Sequence, residues 1–194
     1  QDLKVVLVDE VRDAVYEQLY EYPLYTNQIQ TGGAKQNTLT LLIVGGGKAG
    51  CEFLKAAVWS GQMISYKLNI HLFDLEGTNL QERLEEECPE LLTEGGSYQI
   101  CIHEGDVFSS TMQSELDALG QVDYCVSALG DDERSIRAAV WIRRHFCAKT
   151  GYTKPFICAY VQSLAKKMAV SELSENTRRK TSLSYDIVPF GCGG

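Results

Sequence analysis

The sequence predicts an α/β domain: a doubly wound, mostly parallel sheet of about six strands with helices on both faces. Three observations carry that expectation. From residue 38 onward, short apolar runs rich in leucine and β-branched residues alternate with stretches of helical periodicity. A glycine-rich turn joins the first of those runs to a helix. The 194 residues, 44% hydrophobic and 23% charged, suffice for one domain with a substantial core and not for two full-sized ones.

Each element follows in order. LKVVLVD reads as a strand, and EVRDAVYEQLYEYPLY as a helix ending near Pro23, with Val11, Ala14, Val15, Leu19 and Tyr22 on one face. Thr26 to Thr38, polar with Gly32 and Gly33, reads as a linker. Residues 1–30 are therefore expected to be an N-terminal strand–helix appendage or the end of a preceding domain, and 38–194 the main domain. TLTLLIV is the first strand of that domain, buried on both faces. A helix follows over 48–60, packing through Phe53, Leu54, Ala57 and Val58, then KLNIHLFD as the second strand. Thr78-Asn-Leu-Gln81 matches a capping box opening an acidic helix that ends at Pro89. SYQICIHEGD is a third strand, 112–119 a short helix, and VDYCVSALG a fourth strand. Residues 131–147 form a helix with Asp131 and Asp132 at its start and Arg143, Arg144 and His145 at its end, as the helix dipole favours. PFICAYV, SLAKKMAVSEL and SYDIVPF complete the pattern as strand, helix and strand.

The stretch LLIVGGGKAGCEFLKAA carries Gly45-x-Gly47-x-x-Gly50 between a strand and a helix. In a Rossmann-type dinucleotide site the first glycine makes the tight turn, the second lets backbone approach a pyrophosphate, and the third permits close helix–strand packing. The N–H groups opening the helix would then face the phosphates. Asp74 ends the second strand, where a carboxylate can accept from a ribose 2′-OH and favour NAD over NADP. Its distance from the glycines exceeds the usual roughly 20 residues, which an insertion over 62–67 explains. A Walker phosphate loop does not fit, because Cys51 and Glu52 stand where Lys and Ser or Thr are required.

Composition excludes other classes. A net charge of −8 argues against a nucleic-acid surface. The one basic cluster, Arg178, Arg179 and Lys180, reads as a solvated loop. Seven cysteines without a C-x-x-C spacing fit neither a disulfide framework nor a zinc site; several lie in apolar runs, which points to a reducing, cytoplasmic setting. No run approaches the roughly 20 apolar residues that span a bilayer, so no membrane insertion is expected. The chain begins at Gln1 rather than Met and ends directly after a strand-like segment, as a piece of a longer parent chain would.

Two more segments, His103-Glu104-Gly105-Asp106-Val107 and ALGDDERSIRAAVWIRR after the fourth strand, join LLIVGGGKAG and LFD in a specific order. Over residues 39–161 this order resembles the nucleotide-binding domain of TrkA-type potassium-transport regulators, also called RCK domains. The resemblance implies a homodimeric regulatory module that binds NAD(H), or ADP, ATP or another adenine nucleotide, and reports to attached domains. It implies that Gly45, Gly46, Gly47, Lys48, Ala49 and Gly50 hold the pyrophosphate and Asp74 the adenosine ribose. Asp106 and Val107 would line the adenine end, and Ala128, Leu129 and Gly130 would face the far ribose. Departures are Ser135 where the family usually has asparagine, a longer segment from Glu85 to Tyr98, and a final helix that would lie beyond Gly194.

No catalytic or metal-binding constellation is expected. His71, His103 and His145 read as structural, His103 being the only one near the cleft. Cys51 reads as a small packing residue, although a helix N-terminus can activate a thiol. Glu85 to Glu87 read as a solvated face, and Trp59 and Trp141 as packing or interface residues. The expectation is a nucleotide-sensing module without catalysis of its own. The alternatives are the cofactor half of an NAD-dependent oxidoreductase and a degenerate scaffold for protein contacts.

Overall fold

The structure, a computed structural model, describes residues 9–25, 38–62, 66–93, 96–150, 155–179 and 186–191. The elements are α1 (Glu10–Glu21), β1 (Thr38–Val44), α2 (Lys48–Ser60), β2 (Lys67–Asp74), α3 (Gly77–Glu87) with a 3₁₀ turn at Pro89–Leu92, and β3 (Tyr98–Glu104). Then come α4 (Ser110–Ala118), β4 (Tyr124–Ser127), α5 (Asp132–Thr150), β5 (Phe156–Tyr160), α6 (Leu164–Arg179) and β6 (Val188–Phe190).

The strands form one sheet in the order β3-β2-β1-β4-β5-β6, every neighbouring pair parallel. This is the doubly wound Rossmann-type order: the chain winds outward from β1 to β3, then returns beside β1 to start β4. The connections after β1 and β4 leave toward opposite faces, which opens a crevice at the C-terminal ends of those two strands.

β1 shows why its apolar run is unbroken. Leu39, Leu41 and Ile43 face one layer with Val15 and Leu19 of α1, Phe53 and Leu54 of α2, and Leu80 and Leu84 of α3. Leu42 and Val44 face the other, with Met112 and Leu116 of α4, Ala138, Ala139 and Ile142 of α5, and Val170 of α6. Each such large side chain contributes about 1.5–3 kcal/mol relative to exposure.

Helix α1 packs within the first layer. It runs beside α2 in the same direction: Asp9 meets Lys48 at one end, and Leu24 lies against Gly61 at the other. Gln18 donates to the Tyr124 hydroxyl (3.3 Å), which donates to the Tyr22 carbonyl (3.2 Å). The strand expected before it and the linker after it lie outside the described residues, apart from Asp9 and Thr38.

Several boundaries differ from expectation. The capping box at Thr78 is not formed: the N-cap is Glu76, two residues earlier, and Thr78 gives its N–H and hydroxyl to Glu104 (both 2.7 Å). Helix α6 continues past residue 173 to Arg179, so Arg178 lies on a helix and pairs with Asp186 (2.6 Å) instead of occupying a solvated loop. His145 is not at a helix end, because α5 runs to Thr150; it pairs instead with Asp117 of α4 (2.9 Å). Strand β6 is only three residues long. Among the described residues, no helix is long and apolar enough to cross a membrane.

Candidate functional site

The glycine turn sits at the top of β1, between the ends of β2 and β4. Gly45 adopts φ +101°, a left-handed conformation that a side chain disfavours, and a Cβ there would lie 2.2 Å from the Ala128 carbonyl oxygen. A Cβ at Gly50 would lie 1.8 Å from the Gly45 carbonyl oxygen, so the third glycine lets α2 sit directly on the turn. Gly47 is different: its φ is an ordinary −69° and a Cβ there would meet nothing within 4 Å. The middle glycine therefore faces open space at the start of α2.

Backbone hydrogen bonds tie the neighbouring strand ends to this turn. Gly45 N–H donates to Phe73 (2.8 Å), Gly105 N–H to Asp74 (2.8 Å), and Ala128 N–H to Val44 (2.7 Å). Gly45–Gly50, Asp74 and Ala128–Gly130 thus share one crest, and the Gly105–Val107 turn adjoins it. Asp106 organises its own turn by accepting from Phe108 N–H (3.0 Å), and Val107 is buried. Leu129 N–H donates to the buried Ser135 hydroxyl (3.0 Å), so Ser135 holds the loop above it.

Asp74 does more than end a strand. Its carboxylate accepts from Gly46 N–H (2.6 Å) and Glu76 N–H (2.9 Å), which pins the glycine turn to β2. A carboxylate offers about four lone-pair positions, so two remain for further donors. Lys48 turns its ammonium to Asp9 at 3.1 Å, an exposed contact that also holds the Asp9 carboxyl below its usual range. Beneath the turn, the Gly46 carbonyl accepts from Cys51 Sγ (3.1 Å) and from Arg83 Nη2. Burial pushes the Cys51 thiol up despite Arg83, whose Nη2 also lies 3.3 Å from Sγ, so the thiol is a protonated donor and not an activated nucleophile.

The helix starts at this edge of the sheet differ in what caps them. Asp9 accepts from Arg12 N–H at α1, Glu104 from Thr78 N–H at α3, and Ser109 from Met112 N–H at α4. Asp131 accepts from Arg134 N–H at α5 (2.8 Å). Ahead of α6, both carboxylate oxygens of Asp132 are used, by Gln162 N–H (2.8 Å) and Ser163 N–H (3.0 Å). Helix α2 is the exception among the described residues: its N-cap is Gly47, which has no side chain to accept with.

The histidines form side-chain pairs away from the turn. His103 Nδ1 lies 2.6 Å from Glu115 of α4, its Nε2 lies 3.0 Å from His71 Nδ1, and its ring stacks on Phe73 at 4.3 Å. Burial, with His103 adding, pushes His71 down to about 4. Trp141 stacks on His145, while Trp59 is 81% exposed on α2. Among the described residues no group of three metal-type side chains converges. A cavity of about 500 Å³, lined by Leu91, Tyr98, Ile100 and Ile102 among others, lies along the β3 edge and not at the crest.

Sequence reasoning missed Arg83, Glu104, Asp132 and Ser135 as parts of the crest. Arg83 left a signal as the single basic residue of an acidic helix, while Asp132 was read only as an acid at a helix start and Ser135 only as a departure from the resemblance. No protein-family model matches the chain, and no curated protein matches it.

Proposed function

We propose that the chain is a nucleotide-binding regulatory module that holds the diphosphate of NAD(H) or an adenine nucleotide over Gly47 and performs no chemistry of its own. The observation that carries this reading is the start of α2, which presents backbone N–H groups and the positive end of a helix dipole without a protein carboxylate or hydroxyl as N-cap. The crevice of a doubly wound sheet at its switch point is the general ligand position of such folds. Asp74 supports the ribose end, since its remaining lone pairs are available to hydroxyl donors. The motif order that resembles TrkA-type regulators fits the same reading, with reporting to other domains of a parent chain and homodimer formation as its further content.

Calorimetric titration with NAD⁺, NADH, ADP and ATP tests it. A Kd in the micromolar range or tighter, about −8 kcal/mol, is expected for at least one of the four. Gly47→Asp is the control of choice, because Asp74 also holds the turn and Asp74→Asn would disturb both roles at once. A carboxylate at position 47 should weaken binding by more than about tenfold, or 1.4 kcal/mol. Absence of binding to all four ligands, in a folded wild-type chain, would sink the proposal.

A further inference from the structure

Gly46 lies between two glycines, so the peptides on either side of it have little intrinsic preference for one orientation. Both are nevertheless held. The Gly45–Gly46 peptide gives its N–H to Asp74 Oδ2. The next peptide, Gly46–Gly47, gives its carbonyl to Arg83 Nη2 and Cys51 Sγ, in the groove between α2 and α3. A trans peptide is planar, with its C=O and N–H pointing in opposite directions. Holding the Gly46 carbonyl down in that groove therefore aims the Gly47 N–H the other way, toward the crest.

We propose that Arg83 is a positioning residue for anion binding: together with Cys51 it locks the Gly46–Gly47 peptide so that the Gly47 N–H faces the diphosphate position. The inference rests on the nucleotide reading above, and the lock itself is a property of the free chain. The chemistry suits arginine. One Nη2 carries two protons, and here its two neighbours are the Gly46 carbonyl oxygen and the Cys51 sulfur. Lysine keeps the charge but not the planar fork. Leu80 of the same helix packs beneath Gly46, where a Cβ would lie 2.3 Å from its Cδ2, so α3 grips the turn by both shape and hydrogen bonding.

The test combines amide spectra of the free chain with titrations of ADP and adenosine, for wild type, Arg83→Gln, Arg83→Lys, Cys51→Ala and Lys55→Gln. Arg83→Gln should move the amide resonances of Gly46, Gly47 and Lys48 while leaving those of Gln162 and Ser163 in place. It should weaken ADP by about tenfold and adenosine by less than about twofold, with Arg83→Lys restoring only part of the loss. Cys51→Ala, which removes the second donor, should move the same three resonances less, and provides the readout if Arg83→Gln fails to fold. Lys55→Gln removes a charge from the same groove without touching Gly46, and should change ADP affinity by less than about twofold. An unmoved Gly47 resonance in Arg83→Gln overturns the lock. Equal weakening of ADP by Arg83→Gln and Lys55→Gln overturns it too, because charge alone would then explain the loss. A wild-type chain that binds neither ligand overturns the nucleotide reading instead, and the Gly47 resonance then decides the lock by itself.

Discussion

Helices α2 and α6 begin at the same edge of one sheet and in opposite ways. Ahead of α6, Asp132 offers both carboxylate oxygens to backbone N–H groups, and Ser163 stands at the helix start. At α2 a glycine stands in the cap position and space opens above it. The difference is chemical as much as geometric. Asp132 occupies from within the place an anion would take, so α6 is finished by the fold itself. The start of α2 is equally well supported from below, by Asp74, Arg83 and Cys51, yet left free on its outer side. A rigid turn with an open N-terminus is what a phosphate site requires, and a capped one is what stability alone would select.

The largest effect should come from making α6 resemble α2. Asp132→Ala strips the acceptor from two backbone N–H groups and should cost about 1–2 kcal/mol in urea unfolding, with faster hydrogen exchange at Gln162 and Ser163. A loss below measurement error would mean that water replaces the carboxylate without penalty, and the contrast between the helices would lose its energetic content.

Acid should loosen the β2–β3 flank. His71 has a folded-state pKa near 4 against an ordinary value of 6.5, so the unfolded chain takes up a proton first as pH falls. Its contribution is complete above pH 6.5 and is lost between pH 6.5 and 4. Allowing for screening of a partly buried ring, the decline should be about 1 kcal/mol. It should flatten in His71→Gln, and an unchanged pH profile in that variant would assign the acid sensitivity elsewhere.

The smallest effect is the reverse exchange, making α2 resemble α6. Gly47→Asp finds ordinary backbone angles and free space, so it should stabilise the fold by a few tenths of a kcal/mol even as it blocks the proposed ligand. A destabilised Gly47→Asp chain would show that the cap position is less accessible than its geometry implies.

The sequence carried the sheet well and the crest only in part. TLTLLIV announces a strand buried on both faces, and alternation with helices announces the parallel sheet, because both signals are local and periodic. The glycine turn is equally visible, since its three positions are constrained by neighbours within a few residues. What holds that turn is not. Asp74 reaches Gly46 across 28 positions and Arg83 reaches it across 37, distances at which no spacing rule operates. The same blindness explains the capping box: Thr78-x-x-Gln81 matches the pattern, but the acceptor for Thr78 comes from another strand. Arg83 was overshadowed by the acids around it, and it is itself exposed on α3, its guanidinium reaching back to the Gly46 carbonyl.

The pair of imidazoles beneath the β2–β3 flank has a consequence in proton bookkeeping. A carboxylate can only accept, so Glu115 requires the His103 proton on Nδ1. In the neutral ring Nε2 is then a bare lone pair, and the 3.0 Å contact to His71 demands that His71 carry its own proton on Nδ1. One carboxylate on α4 thereby selects the tautomer of a ring on the second strand away, without touching it. If His103 gains a second proton, the contact reverses direction and the His71 proton must move to Nε2.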